Sequence, residues 1–180
     1  MKKEGIEKRY LSEFVYGGID GSITTFAIVA GSLGASLSSA IILILGFANL
    51  FADGFSMAVS NYLSVKSNNE LHKNHKHAKM FKSELKDPLK TSLATLISFM
   101  VIGFIPLFSF VLYFFIPISE SLKITLSIIL TAIAFLVVGG IKGLIVKKHP
   151  IKSAIQTLSI AGVAAFIAYM VGYLLRGILG

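Results

Sequence analysis

Five long apolar runs alternate with polar stretches along this chain, at residues 14–35, 40–65, 91–116, 122–146 and 153–179. A helix needs about 20 apolar residues to cross the hydrocarbon core of a bilayer, and each run is long enough. The polar residues before the runs read as helix starts. Ser38 and Ser39 can cap the second, Asp87-Pro88 sets a carboxylate before a first-turn proline at the third, and His149-Pro150 precedes the fifth. Pro106 falls inside the third run and predicts a kink there, which membrane helices tolerate when neighbours satisfy the freed carbonyl. The pattern therefore predicts an all-α, polytopic membrane protein with five transmembrane helices. It divides into an N-terminal segment (1–13), helices one and two (14–65), a short basic loop (66–90) and helices three to five (91–180).

In the N-terminal segment Ile6, Tyr10 and Phe14 recur every four residues, and Glu4–Lys8 and Arg9–Glu13 are charge pairs at helical spacing. This reads as a short interfacial helix leading into the first span, with a solvated tail as the alternative. The first apolar run contains Asp20 and lacks a clean small-residue cleavage site, so it reads as a retained span and not a signal peptide.

Composition agrees with the pattern. Of 180 residues 54% are hydrophobic and 14% charged, where a soluble domain carries about a quarter charged. Mean hydropathy is +0.78. There is no cysteine, which excludes disulfides and thiolate metal sites. The net charge of +8 would suggest nucleic acid in a soluble protein, but its placement gives another account. Fifteen of the 17 Lys and Arg residues fall in the N-terminal tail, the loop before the third run and the loop before the fifth; only Lys123 and Arg176 fall on the other side. Positive charge collects on the cytoplasmic side of membrane proteins. The N-terminus is thus expected in the cytoplasm and the C-terminus outside. The partner implied is the lipid bilayer, with no nucleic acid.

The polar residues inside the runs carry the candidate chemistry. Asp53 is about a dozen residues into the second run, roughly 18 Å deep and near the midplane. Asp20 lies about six residues into the first, roughly 9 Å from the cytoplasmic end. A charge at the bilayer centre costs at least about 2.5 kcal/mol, and such residues usually face a bundle interior or a water-filled path. Asn49, Asp53, Met57 and Asn61 are each four apart and form one stripe along the second helix, bordered by Ser56 and Ser60. Carboxylate and amide oxygens suit divalent cations, and a thioether shifts the preference toward softer ones such as Fe²⁺. Plain packing is the alternative for Met57. Gly17 and Gly21 make a small-xxx-small pair around Asp20, of the kind that lets membrane helices approach closely. In a symmetric dimer that contact would bring two Asp20 carboxylates together on the axis. Gly139 and Gly143 make a second such pair, read as packing. In the 66–90 loop His72, His75 and His77, with Glu70, are further candidate metal contacts; the interleaved lysines equally describe a solvated loop. No catalytic serine motif, phosphate loop or HExxH is present, so an enzyme is not expected.

The segments "DGSITTFAIVAG" and "GFANLFADGFSMAVSNYLS" resemble the vacuolar iron transporter family, and "GGIKGLIVKKHPIKSAIQTLSIAGVAAFIAYMVGYLL" resembles its last two spans. The resemblance covers most of the chain. It implies five transmembrane helices and a homodimer that carries Fe²⁺, and often Mn²⁺, out of the cytoplasm, in several members in exchange for protons. The metal is substrate, and no permanently bound cofactor is implied. The first helices of the two protomers would line the path. Asp20 looks like the family's pore aspartate and Met57 like its pore methionine. Two departures stand out. Many eukaryotic members have glutamate where this chain has Asn49, and a small residue where it has Asp53. The vacuolar members also carry a larger, glutamate-rich cytoplasmic domain where this chain has a loop of about 25 residues. The membrane implied is the cell membrane in a prokaryote and the vacuolar membrane in a eukaryote. A membrane scaffold or regulator, whose aspartates only pair helices, is the rival reading.

Overall fold

The computed structural model describes residues 6–74, 85–116 and 119–179, and in them the chain is helical between short connections. The helices are α1 (Ile6–Gly34), α2 (Ser39–Asn74), α3 (Pro88–Gly103), α4 (Ile105–Leu112), α5 (Glu120–Ile145) and α6 (Pro150–Leu179). Four of them, α1, α2, α5 and α6, are long and apolar enough to cross a membrane. The third predicted span is two helices, α3 and α4, bent by 44°, and counts as a fifth crossing if the bent pair is one span. The bend falls at Phe104, two residues before Pro106. The proline ring cannot donate to the preceding turn and clashes with it. The chain answers with a tighter bond from Leu107 N–H to the Phe104 carbonyl at 3.0 Å.

Several boundaries differ from the expectation. The described part of the N-terminal segment is helical, as expected, but it runs without a break into the first span. α2 continues to Asn74, well past 65, because residues 66–74 contain no glycine or proline to stop it. At 36 residues it is about 54 Å long, far more than a bilayer core requires. Two of the expected caps, Asp87 and Ser38, make cap hydrogen bonds. The Asp87 carboxylate accepts from Leu89 N–H at 3.0 Å and Lys90 N–H at 3.4 Å, with Pro88 in the first turn. Ser38 Oγ accepts from Ile41 N–H at 3.5 Å. Replacing Asp87 with Ala is expected to cost about 1 kcal/mol. A thermal melt in detergent would register it as a lower midpoint, with helix content unchanged.

α1 is the central helix and touches all five others. Its small residues make this possible. Gly17 and Gly21 lie against the α3 backbone at Thr95 and Phe99, and Gly31 and Gly34 against α6 at Ala168 and Tyr169. This corrects one expectation. The Gly17–Gly21 pair serves a contact within the chain, to α3, and is filled; it is not free to bring two copies of α1 together. Gly139 and Gly143 pack on Thr157 and Ser153 of α6, as read. The buried hydroxyls between these helices largely bond back to their own helix: Ser22 donates to the Gly18 carbonyl at 2.8 Å and Thr95 to that of Thr91 at 3.0 Å. They fill narrow gaps without needing a partner across the interface. The outer faces of α2 and α6 are apolar and exposed, as at Phe51, Phe55, Phe166 and Ile178, which is the surface a bilayer covers.

The two ends of the bundle differ. One carries the start of α1, the end of α2 and the 85–87 segment. There Lys86 Nζ meets Glu13 at 2.6 Å, and Asn69 donates to the Lys86 carbonyl at 2.8 Å. We call this the basic end. The other carries the α1–α2 turn, in which Ser36 takes a left-handed backbone (φ 56°) and Leu37 N–H reaches back to the Ser32 carbonyl at 2.9 Å. This closes α1 with a Schellman-type cap. We call it the turn end.

Candidate metal pathway

α1 and α2 are consecutive helices joined by four residues, so they run antiparallel, and residues equally far from the turn lie at the same depth. Asp20 is fourteen residues before Gly34, and Asp53 is fourteen residues after Ser39. Each is therefore about 21 Å below the turn end. The sequence had set Asp20 nearer the cytoplasmic end than Asp53; the structure puts them level. The Asp53 carboxylate is also near enough to act electrostatically on that of Asp20. Both side chains are half-buried. Among the described residues no lysine, arginine or histidine forms an ion pair with either.

The polar stripe of α2 lies along the edge of its buried face. Ile42, Gly46, Leu50, Gly54 and Ala58 form the buried ridge, and Asn49, Asp53, Met57 and Asn61 run beside it, all half-buried. Twelve residues separate Asn49 from Asn61, so the stripe is about 18 Å long. The glycines hold it close to the bundle, with Gly46 against Leu107 and Gly54 against Phe99. Two of its amides are unsatisfied: Asn49 Nδ2 and Asn61 Oδ1 are buried without a hydrogen-bond partner. A buried polar atom left unpaired costs about 1–3 kcal/mol. An ion, a water or a partner surface on this stripe would relieve that cost. On α1 an apolar groove opens beside Asp20, lined by Val15, Tyr16, Ile19, Lys142 and Ile145, with a volume of about 350 Å³.

The arrangement offers two carboxylates, a thioether and two amides at one membrane-depth seam. Among the described residues no group of three or more His, Asp or Glu side chains gathers to enclose a metal. The seam is open on one side, where Asn49, Asp53, Met57 and Asn61 are half-buried.

The cytoplasmic candidates fare differently. His72 lies near the end of α2 and lines a cavity of about 310 Å³ at the basic end with Glu13, Asn68, Asn69 and Lys86. Glu70 is exposed and does not line that cavity, because a two-residue offset turns it about 200° around the helix. His75 and His77 lie outside the described residues. The sequence reading missed Glu13 as the neighbour of His72. The two are 59 residues apart, and only the antiparallel α1–α2 pairing brings them together.

A multi-pass helical membrane protein with level carboxylates on two adjacent helices, neither in an ion pair among the described residues, has the features of an ion-handling membrane protein. The comparisons make this specific. The model of the VIT family matches residues 11–81 and 70–173, and the chain belongs to that family. The vacuolar iron transporter of Plasmodium berghei is 26% identical, covering 95% of this chain and 84% of its own length. That of Centaurea cyanus is 29% identical, covering 87% and 84% respectively. The vacuolar iron transporter homolog 4 of Arabidopsis thaliana is 24% identical, covering 86% and 77%. The alignment with the Plasmodium berghei protein runs over 229 positions, so that relative carries insertions that this 180-residue chain lacks. The family match itself falls in two pieces that overlap at residues 70–81, from the last turn of α2 onward.

Proposed function

We propose that this protein carries Fe²⁺, Mn²⁺ or both out of the cytoplasm, in exchange for protons. The observation that carries the reading is the pair Asp20 and Asp53. They are level in the membrane, without a cationic side-chain partner among the described residues, and set on a seam with one open side. The names of the relatives support iron as cargo. The basic end would face the cytoplasm under the positive-inside rule, and five crossings follow if α3 and α4 act as one broken span. The membrane would be the vacuolar one in a eukaryote and the cell membrane in a prokaryote.

The open side also supports a homodimer. A half-exposed carboxylate facing hydrocarbon is costly, so something polar must cover the stripe. A second copy, with its own Asp20, Asp53 and Met57, would cover it and complete the shell. Metal would bind the deprotonated carboxylates, and protonation of either would weaken that binding and release the ion. Weak, exchangeable coordination suits passage better than a tight site.

The test is uptake of Fe²⁺ and Mn²⁺ into proteoliposomes under an imposed pH gradient. Gradient-dependent uptake of either ion is the expected result. A well-folded protein that moves neither would leave the scaffold reading in its place. Met57→Leu provides a narrower check. Leucine keeps the packing volume but removes the soft ligand. In competition assays the variant is expected to lose preference for Fe²⁺ over Mn²⁺ by several-fold, with Mn²⁺ uptake retained.

A further inference from the structure

The groove beside Asp20 opens at the basic end, between α1 and the last turn of α5. Val15, Tyr16 and Ile19 form one wall and Ile145 belongs to the other, so the slot of about 350 Å³ is largely apolar. Its two charged members lie at different depths. Lys123, fully buried at the start of α5, donates to Ser39 Oγ at the start of α2, which sets both helix starts at the turn end. Lys142 is nineteen residues further along α5, about 28 Å from the turn end, against about 21 Å for Asp20. Lys142 is therefore at the mouth of the groove and Asp20 at its floor. Asp20 is also the boundary with the metal seam: it lines the groove, and Asp53 acts on it from α2 without lining the groove.

The mouth is basic. Lys142 is half-buried there, and among the described residues no carboxylate pairs with it. The chain then turns back over the end of α5: Lys147 takes a left-handed backbone (φ 54°), and Lys148 N–H reaches the Gly143 carbonyl at 2.8 Å. The turn leaves both of these lysines exposed at the same end. Glu13 does not oppose them in the groove; Lys86 holds it in the separate cavity with His72. The result is a cation at the membrane boundary with an apolar slot running inward from it. Val15, Ile19 and Ile145 offer a metal ion no ligand, and a free anion leaves them uncovered. An amphiphile with an anionic head and a hydrocarbon chain satisfies both parts. The leaflet facing the cytoplasm carries such lipids, and basic pockets between membrane helices on that side bind their headgroups.

We propose that the groove binds one anionic phospholipid, its phosphate on Lys142 and one acyl chain laid along Val15, Ile19 and Ile145 to end beside Asp20. Burying the chain in the slot supplies the part of the binding that charge does not. The lipid also shields Asp20. It closes the α5 side of that carboxylate with hydrocarbon and leaves it open toward Asp53 and the α2 stripe. A second copy on the α2 stripe and a lipid in the groove occupy different sides of Asp20, so the two bind together. Lipid binding is a property of the groove and does not depend on which ion, if any, is carried.

The full-length protein in detergent is titrated with phosphatidylglycerol or with phosphatidylcholine of the same acyl chains, and bound lipid is counted by native mass spectrometry. One phosphatidylglycerol per chain is expected, held about tenfold more tightly than phosphatidylcholine. Lys142→Gln is expected to lose about fivefold of that preference, the worth of one lysine near an anionic surface. Lys148→Gln, outside the groove, should change it little. Ile145→Trp fills the slot and keeps the charge, and should weaken both lipids several-fold; should it fail to fold, the two lysine variants decide. Equal losses in Lys142→Gln and Lys148→Gln would mean diffuse attraction to the basic end and overturn the site, as would a wild type that holds both lipids alike. Displacement of the lipid by millimolar inorganic phosphate would assign Lys142 to a free anion instead. The chain has no cysteine, so exposed Tyr16 can be changed to cysteine without background. Tyr16→Cys protein in vesicles is expected to stay uncrosslinked under mild oxidation. Efficient disulfide formation between two copies would put a second chain over the groove in place of the lipid.

Discussion

Asp53→Asn is expected to take up Fe²⁺ and Mn²⁺ no faster than protein-free vesicles, a fall of about 100-fold or more, while remaining folded and extractable. The argument is electrostatic. Asparagine has nearly the same shape and can still hydrogen-bond across helices, so helix pairing survives. What disappears is the negative charge. At membrane depth a carboxylate and a divalent cation each face a large desolvation cost, and each offsets it for the other. Removing the charge of one of two level carboxylates takes away at least about 3 kcal/mol of that mutual stabilisation, and each 1.4 kcal/mol is tenfold in affinity. Asp20→Asn should behave alike, because the two residues share one level. Proteoliposome uptake, with size-exclusion profiles to certify folding, separates the readings. If Asp53→Asn transports like the wild type, the aspartates only pair helices and the pathway assigned here is wrong.

Gly21→Leu is expected to abolish folding outright. A Cβ at Gly21 would lie 2.5 Å from the Phe99 carbonyl oxygen and 2.9 Å from the Phe99 Cα. Both are backbone atoms, so no rotamer change makes room. α1 would have to move away from α3, which is its most extensive neighbour. Overpacking a tight core usually costs 1–3 kcal/mol, and a backbone-to-backbone clash with a whole leucine exceeds that. Gly172→Leu should fail in the same way, because Gly172 faces the Gly31 backbone where α6 meets α1. Gly162→Leu is the control. Nothing lies within 4 Å of a Cβ there, and the folded yield should be unchanged. Recovery of monodisperse protein after detergent extraction reads all three. Normal recovery of Gly21→Leu would mean that α1 and α3 are not packed as described.

The stripe on α2 was legible because a helix repeats every 3.6 residues, and Asn49, Asp53, Met57 and Asn61 keep one face at four-residue steps. The broken third span was legible because Pro106 lacks an N–H wherever it stands. Other features were not. The sequence marks Gly17 and Gly21 as a close-approach pair, but says nothing of which helix approaches; small residues fit any partner, and α3 takes the place. Glu13 and Lys86 are far apart in the chain, and their pairing follows only from how α1, α2 and the start of α3 assemble. The burial of Lys123 runs against every local expectation for a lysine in the first turn of a helix.

What the sequence by itself determined is the membrane class, the helices and the asymmetry of charge between the two ends. These follow from local quantities: apolar run length, helical period and the position of each lysine. Only the tertiary structure decided that Asp20 and Asp53 share one level, that Gly17 and Gly21 pack against α3, and that Lys123 is buried at the turn end. The physical reason is that each depends on contact between helices. In a bilayer those contacts are chosen by close packing and polar satisfaction, which act between segments and leave no period in the chain.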